Sequence, residues 1–149
     1  MPARSAIDVV SDANVALKWF HAEGEEEVEP ARTLLAAHRE RTISLMVLDL
    51  TAYEVGNALL RGRVKARADQ VATVIEALGQ ICPAVRPHAV ELRVAIELAE
   101  QHALTVYDAA YAAVARSRDA TLVTLDRDLL DAGLGRRPRE LAAELGNSG

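Results

Sequence analysis

The sequence predicts an α/β domain of three layers, with a central, mostly parallel sheet of four to five strands flanked by helices. Two observations carry that expectation. Short apolar runs rich in β-branched residues alternate with helical periodicity along the chain, as a parallel sheet with helical crossovers requires. Half of the 149 residues are hydrophobic, with the aliphatic ones spread over the whole length, which suits a folded core and not a disordered chain. No repeat, linker or low-complexity stretch divides the chain. Residues 1–149 therefore read as a single domain, with 1–5 and 146–149 as frayed ends.

Ile7–Ser11 is expected to be the first strand, followed at once by Asp12 and by a short helix over Asn14–Phe20. Glu23–Glu29 form an exposed acidic turn. Pro30 suits the first turn of a helix that carries Leu34, Leu35 and Ala36 and ends near Arg41. Ile43–Leu48 is the second strand. Thr51–Leu60 places Ala52, Val55, Ala58 and Leu59 on one helical face, with Gly62 just past its end. Ala68–Leu78 repeats the pattern and stops at Gly79. Ile81–Val85 is a third strand, at an edge because Pro83 has no N–H to give a neighbour. Val90–His102 is a long amphipathic helix, and Leu104–Val106 an extended lead into an alanine-rich helix. Asp108 is the only charge in that helix's first turn, and Tyr111, Val114 and Ala115 form its buried side. Thr121–Thr124 is the fourth strand, followed by Asp126 and a short helix through Leu129 and Leu130 that Gly133 and Gly135 break. Pro138–Leu145 is the last helix.

No apolar run approaches the ~20 residues of a membrane span, and the first residues lack a signal-peptide core. The lone Cys82 has no partner for a disulfide and reads as a small buried side chain, which suits a reducing cytoplasm. A net charge of −5 argues at first against a nucleic-acid ligand. Its placement removes the objection, because Glu23, Glu25, Glu26, Glu27 and Glu29 equal the whole excess. Basic residues gather in two clusters, Arg61, Arg63, Lys65 and Arg67, and Arg136, Arg137 and Arg139. Each cluster is either a solvated face or a surface for phosphates.

Four acids fall at βα junctions or in first helical turns, the level where parallel sheets place their ligands. These are Asp12, Glu54, Asp108 and Asp126. Singly, each aspartate reads as a helix cap worth about 1 kcal/mol, and Glu54 as a solvated helix residue. Together they present a different problem. Four carboxylates at one edge repel one another and lose hydration unless a cation compensates, and only Arg127 stands beside them in sequence. A divalent cation meets the need, and an all-oxygen donor set suits Mg²⁺ or Mn²⁺. His21, His38, His88 and His102 are scattered and give no zinc spacing. Such a metal site binds a scissile phosphate and activates a water.

The segments Ser11–Phe20, Tyr53–Leu59, Tyr107–Tyr111 and Leu122–Leu129 resemble, in content and in order, the PIN-domain ribonucleases, specifically the VapC toxins of type II toxin–antitoxin systems. Any one segment is weak, but together they are specific. The resemblance implies a PIN-like fold and a toxic Mg²⁺- or Mn²⁺-dependent endoribonuclease that hydrolyses RNA phosphodiester bonds. It implies Asp12, Glu54, Asp108 and Asp126 as the acidic quartet at the metal. Asp12 and Asp108 would be direct ligands, with Glu54 and Asp126 acting more through water or as a base. Asn14 and Thr124 would support the ligands or contact phosphate, or else serve as local turn hydrogen bonds. Apart from the resemblance, the cluster of Arg61, Arg63, Lys65 and Arg67 is the candidate surface for RNA, its alternative being a solvated face. A VapB-type antitoxin that blocks the site and a toxin homodimer follow from the same resemblance.

Asp8, Asp49, Asp128 and Asp131 lie near quartet members, Asp128 being the strongest rival ligand. The acidic run and the Arg136–Arg139 tail are outside the family pattern. Tyr107 and Tyr111 lie four apart on one helical face, for packing or for stacking on bases, and packing is expected. The alanine run of that helix permits close approach, inside the core or across a dimer. Two other classes compete. A phosphoryl-receiving signalling domain also gathers acids around Mg²⁺, but typically with paired acids after its first strand and a late lysine, and no lysine follows Lys65 here. A catalytically silent PIN-like scaffold that only binds protein is the second.

Overall fold

The computed structural model describes residues 5–21, 26–63 and 65–147. Glu23 and Glu25 of the acidic run, and most of the two expected frayed ends, lie outside the described residues.

Four strands form one parallel sheet in the order β3-β2-β1-β4. They are β1 (Ile7–Ser11), β2 (Ile43–Leu48), β3 (Ala84–Val85) and β4 (Thr121–Val123). The chain moves outward from β1 through β2 to β3, then returns to place β4 on the other side of β1. Strand order therefore reverses at β1, and a crevice opens beyond its carboxyl end. Successive residues of β1 serve opposite faces. Val9 packs with Val15, Leu34, Leu45 and Val55 in one core, and Val10 with Leu98, Tyr111, Val114 and Leu122 in the other. Both faces are covered, so Val9 and Val10 of β1 and Leu45 to Leu48 of β2 form an apolar centre and the three layers follow.

On the first face lie α1 (Ala13–Ala16), α2 (Val28–Arg39), α3 (Thr51–Arg61), α4 (Ala68–Ile81) and α8 (Pro138–Asn147). On the second lie α5 (Ala89–His102), α6 (Val106–Ser117) and α7 (Arg127–Asp131). Ala109 to Ala115 of α6 are buried without exception, so this helix is an inner element and its alanines serve close packing in the core.

Several boundaries differ from the sequence pattern, each for a local reason. The first helix is α1 followed by a 3₁₀ turn over Leu17–Trp19, and the Trp19 indole N–H donates to the Ala31 carbonyl at 3.0 Å. Gly79 does not stop α4, which runs on to Ile81. Pro83 sets the end, because it forces the preceding Cys82 into extended backbone (φ −150°, ψ 156°). That leaves β3 with two residues, at the edge as its proline requires, and the Pro83 carbonyl still accepts from Val47 N–H. Leu104–Val106 is no strand: Thr105 is the extended cap and Val106 the first helical residue. Helix α8 includes Gly146 and Asn147, expected as tail.

The two features outside the family pattern meet. Arg137 pairs with Glu27 at 3.0 Å, and the Arg139 backbone N–H donates to the same carboxylate at 3.0 Å. Arg136 pairs with Glu144 and lies 4.0 Å from Glu140. Part of the acidic run therefore ties the start of α2 to the start of α8, and the second basic cluster is largely spent on structure.

Candidate active site

Asp12, Glu54, Asp108 and Asp126 line one cleft of about 280 Å³ beyond the carboxyl ends of β1 and β4, with Asn14, Leu17, Val55 and Ala58 among its other walls. Among the described residues, no lysine, arginine or histidine lines it. Four distant segments converge there because each acid stands at a place the sheet fixes. Asp12 follows β1 and caps α1, Asp126 caps α7 beyond β4, and Glu54 and Asp108 lie in the first turns of α3 and α6. Asp108 does not itself cap its helix. Thr105 does, accepting from Asp108 N–H at 3.1 Å, which leaves the acid at the third helical position.

Asp12 is the most deeply placed, at 4% exposure. Ala13 N–H donates to its Oδ1 at 2.7 Å, and the Thr124 hydroxyl donates to its Oδ2 at 2.7 Å. Thr124 also accepts from Asp126 N–H at 3.0 Å, so a single hydroxyl couples two of the acids. Asn14 reaches across to accept from Leu125 N–H at 3.2 Å. Thr124 contacts the carboxylate of Asp12 and the backbone of Asp126, and Asn14 holds the backbone after β4 across the fold and not within its own turn. Gly135 belongs to this support. A Cβ there would lie 2.7 Å from Thr124 Cγ2, so glycine lets the segment that pairs Arg136 with β4 pack against Thr124.

The electrostatics are those of acids with no counter-charge among the described residues lining the cleft. Burial pushes Asp12 up to about 7, and the charges of Glu54 and Asp108 add to the rise. Glu54 is raised by burial and by Asp108, although the Tyr111 hydroxyl pulls it back. Asp108 is raised by burial, then by Asp126 and Asp128. Of the rival acids, Asp8, Asp49, Asp128 and Asp131 are all exposed, and none lines the cleft. Asp128 acts on the site only through its charge.

Among the described residues, no three His, Cys, Asp or Glu side chains are grouped closely enough to form a metal site by themselves. The donors here are oxygens only, spread around a cleft that has room for water. That set fits a hard divalent cation that keeps much of its hydration and takes one or two carboxylates directly. It does not fit a closed protein cage.

The sequence pattern missed two residues. Tyr111, expected to pack, is fully buried, but its hydroxyl donates to Glu54 Oε1 at 2.7 Å. Thr51 lies behind it, 2.7 Å from the same hydroxyl. A signal existed: Tyr111 is one turn past Asp108, Thr51 one turn before Glu54, and each brings a polar atom into an otherwise apolar helical face. The basic residues of the first cluster stand outside the cleft. Arg61, Arg63, Lys65 and Arg67 are exposed, and Arg61 continues the stripe of α3 that carries Glu54 and Ala58.

A sequence family described as the PIN domain matches residues 9–134. Ribonuclease VapC3 of Pyrobaculum aerophilum is 39% identical over 111 residues, 72% of this chain and 82% of that protein. Exonuclease VapC9 of the same organism is 41% identical over 104 residues, 64% and 75% of the two chains. Among solved structures, a P. aerophilum protein superposes with a TM-score of 0.68 at 26% identity, covering 97% of this chain and 99% of that one. VapBC2 from Rickettsia felis, bound to a fragment of its promoter DNA, shares the fold at a TM-score of 0.60 and 16% identity, covering 85% and 92%.

Proposed function

The chain belongs to the PIN-domain family, and on that footing we propose that it is the toxin ribonuclease of a toxin–antitoxin pair, a metal-dependent endonuclease that hydrolyses RNA phosphodiester bonds. One observation carries the reading: four carboxylates from four separate segments line a single cleft, with no basic side chain among its described lining residues. The relatives named ribonuclease and exonuclease support hydrolysis of nucleic acid.

In this reading Asp12, just after β1, and Asp108, in α6, would hold Mg²⁺ or Mn²⁺, with Glu54 and Asp126 as the cleft's further carboxylates. When bound, the ion polarises the scissile phosphate and lowers the pKa of a coordinated water. The chain's own residues do the rest. Thr124 and the Ala13 N–H keep Asp12 aimed at the cleft. Asn14 and Asp126 pin the Leu125 and Leu129 backbone, so the fourth acid stays at the rim. Glu54 orients the attacking water. Arg61, Arg63, Lys65 and Arg67 take the flanking phosphates. Arg67 also pairs with Asp69 at 3.5 Å, but both are strongly exposed and the pair holds it weakly.

Two partners follow. A VapB-type antitoxin would cover the acidic cleft, and the R. felis neighbour that shares this fold is a VapBC2 protein. A second copy of the chain would cover the apolar surface of α3, α5 and the start of α6. Apart from Ile7, every exposed large hydrophobic side chain among the described residues lies there, including Tyr53, Val90, Ile96 and Tyr107. Two grooves on this surface meet at Asp49. The described helices include none long and apolar enough to cross a membrane, and we place the protein in the cytoplasm with its RNA.

The test is cleavage of end-labelled structured RNA by purified protein, with Mg²⁺, with EDTA, and with Asp12→Ala and Asp108→Ala. Internal fragments that vanish with chelator and with either substitution are expected. Mononucleotides released from one end would make it an exonuclease. Cleavage that survives EDTA overturns the metal reading, and no cleavage of any RNA leaves a protein-binding scaffold.

A further inference from the structure

Behind Glu54 runs an unbroken line of hydrogen bonds that the carboxylate quartet does not need for its own packing. At the end of β2, Leu48 N–H donates to Thr51 Oγ1 at 3.0 Å. Thr51 Oγ1 lies 2.7 Å from Tyr111 Oη, and Tyr111 Oη lies 2.7 Å from Glu54 Oε1. Chemistry fixes the direction. An ionised carboxylate only accepts, so the phenol proton goes to Glu54, the phenol oxygen accepts from Thr51, and the threonine oxygen accepts from Leu48. Thr51 and Tyr111 have no solvent exposure. Phenylalanine would fill the ring's place without burying a hydroxyl, so packing alone does not account for the tyrosine. The spacing is economical: Thr51 is one turn before Glu54 on α3, and Tyr111 one turn after Asp108 on α6. Helix α6 thus supplies one carboxylate of the cleft and the group that aims another.

Resting on the metal-dependent reading of the cleft, we infer that Tyr111, backed by Thr51, is a positioning residue that occupies Glu54 Oε1 and presents Oε2 to the cleft. A glutamate has three side-chain torsions, and without this anchor it samples orientations that miss a bound ion's water or grip the ion with both oxygens. Fixing it before the ion arrives is what such outer hydrogen bonds do at metal sites, where their loss costs about 10–100-fold in metal affinity or activity. The relay also ties the end of β2 to α3 and α6, so the aim of Glu54 is set by the sheet.

The experiment measures Mn²⁺ binding by calorimetry in the full chain, beside kcat and KM on RNA and the thermal midpoint. The variants are Tyr111→Phe, Thr51→Val, Thr51→Ser and Glu54→Gln, with the double variant Glu54→Gln/Tyr111→Phe. Tyr111→Phe is expected to weaken Mn²⁺ binding by about tenfold or more and to lower kcat comparably, with KM for RNA unchanged. Thr51→Val moves both readouts in the same direction and Thr51→Ser restores them. In the Glu54→Gln background Tyr111→Phe has no further effect on either. Should Tyr111→Phe fail to fold, the Thr51→Val and Thr51→Ser pair, which leaves the ring in place, decides the matter. Variants that melt earlier yet bind Mn²⁺ and turn over as the wild type does overturn the relay while leaving the nuclease intact. A wild-type protein that binds no Mn²⁺ overturns the metal reading and the relay with it.

Discussion

Two buried acids of this molecule, Asp12 and Glu91, have opposite fates. Glu91 is 2% exposed, yet its carboxyl is held down at about 2, because Arg118 grips it through two nitrogens at 3.1 Å and His88 N–H donates at 2.8 Å. Asp12 is 4% exposed and is pushed up to about 7. Asp12 lies deeper in the protein, so loss of hydration is what chiefly raises it, whereas at Glu91 the Arg118 hydrogen bonds outweigh a smaller burial cost. The neighbours widen the gap: the fold supplies Glu91 with a guanidinium, whereas Asp12 faces Glu54 and Asp108, which raise it further. A structural acid comes with its cation built in, and a cleft whose lining among the described residues holds acids and no basic side chain suits one from outside.

The largest expected effect tests that contrast through catalysis. Asp12→Asn or Asp108→Asn should lower RNA cleavage on the order of 10²-fold or more, since each removes a charge proposed to hold the ion. The metal-free protein should lose no stability, because like charges are being removed, and a rise in its thermal midpoint is expected. Glu91→Gln is the mirror experiment. Breaking a buried ion pair from one side costs about 3–5 kcal/mol when both partners are dry, and Arg118 is 26% exposed, so about 2–3 kcal/mol is expected. A lower urea midpoint with unchanged cleavage would fit. If Glu91→Gln instead abolished cleavage in folded protein, the division between structural and functional acids would fail.

Metal addition sharpens the comparison. At ten times its Kd, Mg²⁺ or Mn²⁺ should stabilise the folded chain by about 1.4 kcal/mol, reversibly with EDTA. The gain should vanish in Asp12→Asn and survive in Glu91→Gln. The pH response follows by sign. The folded pKa of Glu91 is depressed, so its contribution is present above the ordinary carboxylate range and is lost as pH falls toward about 2. That of Asp12 is raised from 3.8 to about 7, so the folded state holds its proton longer, and metal-free stability falls as pH rises across that window. Metal-free protein should therefore be most stable on the acid side of neutrality. Mn²⁺ binding should tighten as pH rises through 7, and Asp12→Asn should flatten the falling limb in an unfolding series.

The positions of all four acids were legible in the sequence because each stands where a strand ends or a helix begins, and such junctions leave a local signature. What supports them was not. Thr124 couples Asp12 to Asp126, Asn14 reaches Leu125, and Tyr111 reaches Glu54 over more than fifty residues. Those contacts depend on strand order, which periodicity does not encode. The departures in the fold share that origin. Gly79 has the local mark of a helix stop, but the flanking Leu78 and Cys82 bury against the core and α4 continues until Pro83 forbids it. The pairing of Arg137 with Glu27, 110 residues away, was equally invisible.

The smallest expected effect comes from the two basic clusters, which composition makes equivalent and structure separates. Arg136 and Arg137 are committed to Glu144 and Glu27, whereas Arg61 and Arg63 are exposed, and Arg61 lies one turn beyond the cleft wall of α3. Arg61→Ala should raise KM for RNA roughly two- to fivefold, or about 0.4–1 kcal/mol, and leave kcat alone. Each phosphate contact on a single strand releases counterions, so the slope of log binding against log salt should fall by about 0.7 per arginine removed. Arg137→Ala should leave that slope unchanged and loosen the junction of α2 with α8. Equal slopes for the two variants would mean that the ion pairs at Glu27 and Glu144 open to admit RNA, and that the phosphate path crosses α8 in place of α3.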